Sequence, residues 1–432
     1  MQKITGLLLL LATRALLVLA DTQTCVNIYG QCGGTDYTGP TCCQTGSVCQ
    51  FQSSCYSQCI PSTDCTETPL STTTTTIAPT SSATVTSTSD TSTATTTTTT
   101  TLTTSATTAS TTTGLPNNST ATLRSLADAR GIYFGCAVDN DEITNSSLAA
   151  LAGTQCGLTT PGNAMKWFAT EPTQGVFSYT LANEILAFAT ANNMKVRGHT
   201  LVWYSQLAPW VTDGVWTNET LTAVMVNHIT NVVGYFKGKV IHWDVVNEAF
   251  NDDGTFRNTT FYQHIGEAYI PIAFNAARAA DPDVKLFIND YNLEYDAKAT
   301  AMANLVTKLR AQGVPIDGIG SQGHLVVGSL PSTVASNLAL LASTGVEVAI
   351  TELDIRAPTP ISATDLAQQA ADYTTVVNAC LAVSSCVGIE TWGISDAFSW
   401  IPSVFSGYGD ALPYDADFQP KAAREAIAAA LA

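Results

Sequence analysis

Residues 123–432 are predicted to fold as a (β/α)8 TIM barrel, class α/β, on three observations. Short β-rich runs alternate with longer helix-periodic stretches, the runs number eight, and about 310 residues is long for one domain unless it is a barrel or a large α/β fold. Ahead of the barrel the sequence predicts a signal peptide over 1–20, a small disulfide-rich β module over 21–65 and a disordered linker over 66–122.

The eight runs are 133–138, 158–167, 195–203, 240–247, 285–290, 318–322, 347–352 and 387–392. Helical spacing of apolar residues fills the intervals near 180–192, 219–236, 261–280, 297–312, 330–344 and 364–381. That alternation is expected of parallel βα units. In a ring of eight, functional groups collect where the strands end, on the face built by the βα loops.

Residues 1–20 carry Lys3, then an apolar run from Leu7 to Ala20 broken only by Thr13 and Arg14. This is the pattern of a cleaved secretory signal, with Asp21 as the mature start. The apolar stretches flanking Arg14 fall far short of the roughly 20 residues that span a bilayer. A secreted, extracellular chain without membrane contact is therefore expected. The 12 cysteines, an even number, then face an oxidising compartment where disulfides persist. Sequons at Asn117, Asn118, Asn145, Asn218 and Asn258 fit the same address as glycosylation sites.

From about Thr66 to Thr122 the chain is mostly Thr and Ser with almost no large apolar residue, so nothing there can build a core. Runs such as Thr95 to Thr101 invite O-glycosylation of an extended tether. The roughly 45 residues before it hold eight cysteines, and a segment that short needs disulfides to be stable. The net charge of −17 excludes nucleic acid as a partner, because nothing supplies the cationic surface that phosphates require. A neutral or weakly acidic polymer remains compatible.

Glu248 stands at the tip of the fourth run and Glu352 at the tip of the seventh. Those strands lie on opposite sides of an eight-membered ring, so the two carboxyls can face each other across its mouth. Glycosidic cleavage needs such a pair, one giving a proton to the leaving oxygen while the other meets the oxocarbenium-like carbon. Either Glu alone reads as a solvated loop residue or half of an ion pair. His199, His242 and His324 come from three different strands without close ligand spacing, so no metal and no cofactor is expected.

Six strand-end motifs make the comparison specific: Asn163-Ala164-Met165-Lys166-Trp167, Gly198-His199-Thr200-Leu201-Val202-Trp203, Trp243-Asp244-Val245-Val246-Asn247-Glu248, Asn289-Asp290-Tyr291-Asn292, Gly318-Ile319-Gly320-Ser321-Gln322-Gly323-His324 and Thr351-Glu352-Leu353-Asp354. In this order they resemble the retaining endo-β-1,4-xylanases of glycoside hydrolase family 10. The resemblance implies that Glu248 is the acid/base and Glu352 the nucleophile, with His324 keeping Glu352 ionised. A nucleophile must stay deprotonated while the acid needs a raised pKa, so the two environments are expected to differ. The resemblance also implies that Asn247 bonds the sugar 2-hydroxyl. Asn163, Lys166, His199, Trp203, Gln206, Tyr291 and Gln322 join the substrate-binding set, and Trp392 and Trp400 are its aromatic platforms. Trp216 reads better as core.

Three positions depart from the family pattern. Gly162 stands where a Glu usually precedes the Asn, Phe168 replaces an Asp, and Tyr204 replaces a His. A lost hydrogen-bonding group costs about a kilocalorie of binding or more, so glycone recognition is expected to be unusual, with the Tyr204 hydroxyl a candidate substitute.

The segment Tyr29-Gly30-Gln31-Cys32-Gly33-Gly34, Tyr37 to Cys43 and Cys55-Tyr56-Ser57-Gln58-Cys59 resembles a fungal-type family 1 carbohydrate-binding module. That implies a cellulose-stacking row containing Tyr29 and Tyr56, with Gln58 as a polar contact and Cys55 where a third aromatic would stand. It also implies the pairs Cys32 with Cys49 and Cys43 with Cys59. Spacing suggests Cys25 with Cys42 and Cys55 with Cys65 without proving either, and Cys136 with Cys156 and Cys380 with Cys386 are plausible partners in the barrel.

Together these readings predict a secreted, monomeric, cofactor-free retaining endo-1,4-β-xylanase acting on xylan and held to cellulose by its module. An endoglucanase and an inactive wall-binding barrel are the rivals.

Overall fold

The computed structural model describes residues 25–26, 31–33, 39–45, 47–53, 56–61 and 121–432. The segments expected to be a signal peptide and a linker, up to residue 120, with Tyr29, Cys55, Cys65, Asn117 and Asn118, lie outside them, and for Tyr56 and Gln58 only the backbone is described.

The small module is a three-stranded antiparallel sheet of β1 (Gln31–Gly33), β2 (Ser47–Ser53) and β3 (Tyr56–Pro61), with β3 in the middle. Disulfides join Cys25 to Cys42, Cys32 to Cys49 and Cys43 to Cys59. Cys32 and Cys59 are buried, so sulfur forms the interior that so few apolar side chains cannot.

In the large domain eight parallel strands close on themselves: β4 (Tyr133–Val138), β5 (Leu158–Pro161), β6 (Lys195–Gly198), β7 (His242–Asn247), β8 (Lys285–Asp290), β9 (Gly318–Ser321), β11 (Glu347–Pro358) and β12 (Cys386–Thr391), the last pairing back with β4. Short β10 (His324–Val326) and β13 (Tyr408–Gly409) both lean on β11. The helices are α1 (Leu123–Ala129), α2 (Ser146–Gln155), α3 (Trp167–Thr170), α4 (Thr180–Ala191), α5 (Pro209–Thr212), α6 (Asn218–Phe236), α7 (Thr260–Ile265), α8 (Tyr269–Ala280), α9 (Asp296–Ala311), α10 (Val334–Ala342), α11 (Ala363–Leu381), α12 (Ile401–Val404) and α13 (Ala422–Leu431). None among the described residues is long and apolar enough to cross a membrane.

Several expectations are corrected at their edges. The run 158–167 is a strand only to Pro161, after which the chain turns into α3. Run 195–203 stops pairing as a strand at Gly198, with Val202 touching β7 again through a single bridge to Val246. The helix expected over 261–280 is two, because Gly266 takes a left-handed φ of 73° at the end of α7. Helices α1, α2 and α13 lie outside the intervals expected to be helical; of these the Ala- and Ser-rich α2 carries little periodic contrast.

The ring is filled in layers, as barrels of this kind are. Its floor is Tyr133, Leu158, Phe287 and Ala349, with His242 against Tyr133 and Phe287. Glycines make room for these rings: a Cβ on Gly318 would come within 2.2 Å of Phe287, and one on Gly388 within 2.3 Å of Tyr133. Above the floor lies a polar layer containing Arg197, Asp244 and Glu390, all fully buried. The strand tips, with the carboxylates, form the mouth. Disulfides Cys136–Cys156 and Cys380–Cys386 tie β4 to the end of α2 and α11 to β12.

Candidate active site

Glu248 follows directly on β7 and Glu352 lies within β11, and both are buried. Glu248 holds a left-handed φ of 56°, a conformation that costs a non-glycine residue about 1 kcal/mol or more. Its backbone is pinned at both ends, since its N–H donates to Asn289 O at 2.8 Å and Arg257 Nε donates to its carbonyl at 3.1 Å. The strain aims the side chain into the mouth.

A chain of amides links the two acids. Gln322 Nε2 donates to Glu248 Oε1 at 3.3 Å and to Asn247 Oδ1 at 3.1 Å. Asn289 Nδ2 donates to the same Asn247 oxygen at 2.9 Å and to Glu352 Oε1 at 2.7 Å, while Thr351 Oγ1 donates to Asn289 Oδ1 at 2.7 Å. Asn247 Nδ2 leans on Glu248 Oε1 at 3.4 Å. Glu248, Asn247, Gln322 and Glu352 thus meet in one network, with Asn289 at its centre. Asn289 had appeared only inside a motif; its place at a strand tip was the available signal.

The environments of the two acids differ. Glu352 Oε2 faces His324 Nε2 at 3.2 Å, and His324 Nδ1 faces Asp354 Oδ2 at 2.9 Å. Burial alone would raise the Glu352 carboxyl, but the His324 hydrogen bond, His199, the His324 charge and Arg197 reverse it and hold it at about 2. Burial likewise opposes charge on His324, yet Asp354 and Glu352 push that imidazole up to about 10. The Glu248 carboxyl accepts from the amides of Asn247 and Gln322, with Arg257 and Lys166 close enough to feel its charge. Tyr204 stands beside it, its phenol raised by burial and then by the Glu248 charge, with Arg257 4.5 Å over its ring. Arg257 Nη2 also donates to Tyr291 Oη at 2.6 Å. This arginine was not among the expected site residues.

One wall of the mouth is a second polar knot. Lys166 Nζ donates to Gln206 Oε1 at 2.5 Å and Asn163 Oδ1 at 3.1 Å, and lies 5.0 Å from the Trp203 ring centre. Gln206 Nε2 donates to Asn163 Oδ1 at 2.9 Å. Burial pulls the Lys166 ammonium down to about 8. Asn163 is held from behind by Asp139, whose Oδ1 accepts its N–H at 2.8 Å and whose Oδ2 accepts its side-chain amide at 2.6 Å. A Cβ on Gly162 would sit 2.8 Å from that Oδ2, so Asp139 occupies the space where a side chain at 162 would start.

Two further tryptophans pack on the histidines of the mouth. His199 meets Trp392 edge-on at 5.2 Å, and His324 meets Trp400 at 5.0 Å. Trp400 Nε1 donates to Asp354 Oδ2 at 2.8 Å, which fixes its indole. Trp216 donates to Val211 O at 2.9 Å and packs on the core. His242 belongs to the floor, remote from this layer, and burial lowers it to about 3. His199, Asp244 and Glu352 each bring a ligand atom within 4.8 Å of the others. Arg197 already bonds the Asp244 oxygen that His199 uses, and its charge opposes a second cation. Asn218 and Asn258 are exposed and Asn145 half-buried at the start of α2.

Comparison with known proteins gives one consistent picture. Residues 122–430 match the model described as glycosyl hydrolase family 10, and residues 28–56 match the fungal cellulose binding domain. Endo-1,4-beta-xylanase A of Phanerodontia chrysosporium is 47% identical over 416 residues, 95% of this chain and 96% of that protein. Endo-1,4-beta-xylanase D of Talaromyces funiculosus is 49% identical over 72% of this chain and 78% of its own length. Among solved structures, xylanase 10B of Thermotoga petrophila in complex with xylobiose superposes with a TM-score of 0.71 at 39% identity, covering 73% of this chain and 98% of that one. A glycosylated endo-beta-1,4-xylanase of Gloeophyllum trabeum gives 0.69 at 44% identity over 72% and 98%.

Proposed function

Because this chain belongs to glycosyl hydrolase family 10 and carries a fungal cellulose binding domain at its N-terminal side, we propose that it is a secreted endo-1,4-β-xylanase that cuts internal bonds of xylan with net retention. The division that accompanies this reading is a signal peptide over 1–20, a cellulose-binding module over 21–65, a linker over 66–122 and the hydrolase over 123–432. The observation that carries the mechanism is the unequal treatment of the two acids. Glu352 is bonded by His324 and held ionised, whereas the hydrogen bonds to the Glu248 carboxyl come from amides and a phenol, with Arg257 on its backbone carbonyl.

Glu248 gives its proton to the departing glycosidic oxygen while Glu352 attacks the anomeric carbon, forming a glycosyl-enzyme. Glu248, now a carboxylate, takes a proton from water, which attacks the same carbon and releases Glu352. Each displacement inverts the centre, so the product retains its configuration. Direct attack needs the carboxyls about 5 Å apart. Asn247, already bound by Asn289 and Gln322, is placed to hold the sugar 2-hydroxyl, a contact that strengthens as charge grows on the ring. Lys166, Gln206 and Asn163 form the polar glycone wall, and Trp203, Trp392 and Trp400 offer apolar faces to pyranose C–H groups.

Glu352→Gln should abolish xylan cleavage and leave cellulose binding intact; a variant that still hydrolyses at the wild-type rate would refute the nucleophile. The anomer first released, followed by proton NMR, tests retention. Sugar release from xylan against soluble cellulose tests the substrate.

A further inference from the structure

Arg197, on β6, is fully buried beneath the carboxylates and binds groups from four other strands. Its Nε donates to Thr160 Oγ1 of β5 and Glu390 Oε2 of β12, both at 2.9 Å; its Nη1 bonds Asp244 Oδ2 of β7; its Nη2 donates to Thr351 O of β11 at 2.9 Å. The polar layer therefore has one cation at its centre. Two of its contacts lead upward. Thr351 O belongs to the peptide that precedes Glu352, whose own N–H donates to Gln322 O at 2.8 Å. Asp244 Oδ2 also meets His199 Nδ1 at 2.8 Å, and that nitrogen lies 3.9 Å from Glu352 Oε1.

We infer that Arg197 is a positioning residue for the hydrolysis, fixing Glu352 from below through the Thr351 carbonyl and through the Asp244–His199 pair. The inference rests on Glu352 being the nucleophile. A guanidinium suits the task because its donors reach several separated acceptors at once, whereas an ammonium offers three donors from a single point. Without it, the buried Asp244 would keep only its His199 contact and the Thr351 carbonyl would lose the guanidinium donor.

Charge supports the geometry. The groups facing Glu352 are His199 at the end of β6, His324 on β10, Asn289 on β8 and Lys166 after β5, with Asp354 behind His324 and Glu248 reached through Asn247 and Asn289. Arg197 adds a positive field that helps keep Glu352 ionised. Facing Arg197 itself are Asp244, Glu390, Glu352 and Tyr133. Burial raises Glu390 to about 7 against the pull of Arg197, so at acid pH it is an uncharged neighbour, while Arg197 keeps its bond to Asp244.

The test compares wild type, Arg197→Lys and Glu390→Gln on a defined xylo-oligosaccharide, with kcat, KM and pH profiles taken well below each melting temperature. For Arg197→Lys the expected result is kcat lowered about tenfold or more, KM within about twofold, and the acid limb of kcat/KM moved upward by about half a pH unit or more. An unchanged kcat, or a loss of kcat with an unmoved acid limb, overturns the inference. Glu390→Gln keeps the Asp244 and Thr351 contacts, so kcat within about twofold and an unmoved acid limb are expected; this arm decides the matter if Arg197→Lys does not fold. A tenfold loss in Glu390→Gln would mean that the layer acts only as scaffold. Failure of the functional reading shows separately, as a wild type that does not cut xylan or a Glu352→Gln variant that does.

Discussion

His324 presents one ring nitrogen to Glu352 at 3.2 Å and the other to Asp354 at 2.9 Å, so a single imidazole is shared between the carboxyl at the reacting centre and one that anchors Trp400. His324→Gln keeps a polar group but removes the cation. With burial no longer opposed, the Glu352 carboxyl should rise, and the acid limb of kcat/KM should move upward by about one pH unit or more. The profile of kcat/KM against pH checks this.

The same pair should appear in stability. Glu352 is depressed on folding, so its contribution is present above the ordinary carboxyl value of about 4.3 and is lost as pH falls toward about 2. His324 is raised, so its contribution is complete below about 6.5 and is lost as pH rises toward about 10. Between those limits both are fully present. Melting temperature should fall away on both sides of that window, and His324→Gln should flatten both slopes.

Glu248→Gln cannot deliver a proton. Hydrolysis of xylan should drop about 10²- to 10⁴-fold. A nitrophenyl xylobioside, whose phenolate departs unaided, should lose far less in its first step. Equal losses on both substrates in pre-steady-state assays would contradict the acid role.

Gly162→Glu adds a carboxylate beside Asn163, yet the Cβ would press on Asp139, 2.8 Å away. Burial already raises the Asp139 carboxyl to about 6, against the pull of Lys166, and a second carboxylate would raise it further. The expected outcome is no gain in KM for xylotriose and a stability loss of about 1–3 kcal/mol, as for other overpacked sites. Combining it with Asp139→Asn should recover part of the loss in denaturant titration.

The Cys136–Cys156 bond closes a loop over a separation of 20 residues, and both sulfurs are buried. Replacing both by Ala should cost about 3 kcal/mol, read from urea midpoints. Removing residues 21–65 should leave kcat/KM on soluble xylan unchanged while slowing release from xylan held on cellulose, because only the local concentration changes.

Much of this was legible before any fold was drawn. The eight runs all became barrel strands, since side chains buried on both faces of a parallel sheet make short, continuous apolar runs. Their ends were less legible. The run beginning at Leu158 seemed to continue to Trp167 because the residues lining a barrel mouth are themselves apolar and aromatic, although the chain there has already turned into α3. α2 was invisible for the opposite reason: its alanines and serines pack against a barrel without marking a face, whereas α13 does mark one with Ile427 and Leu431.

By itself the sequence determined the barrel and marked two glutamates at strand ends as the candidate acids, because composition, periodicity and ordered motifs are properties of neighbouring residues. Tertiary structure alone decided how those acids are treated. Arg197 meets Asp244, Thr351 and Glu390 across separations of 47, 154 and 193 residues, and no local pattern encodes such meetings. The ring closes first in the logic of the chain, and only its closure brings cations, amides and histidines from separate strands to two glutamates.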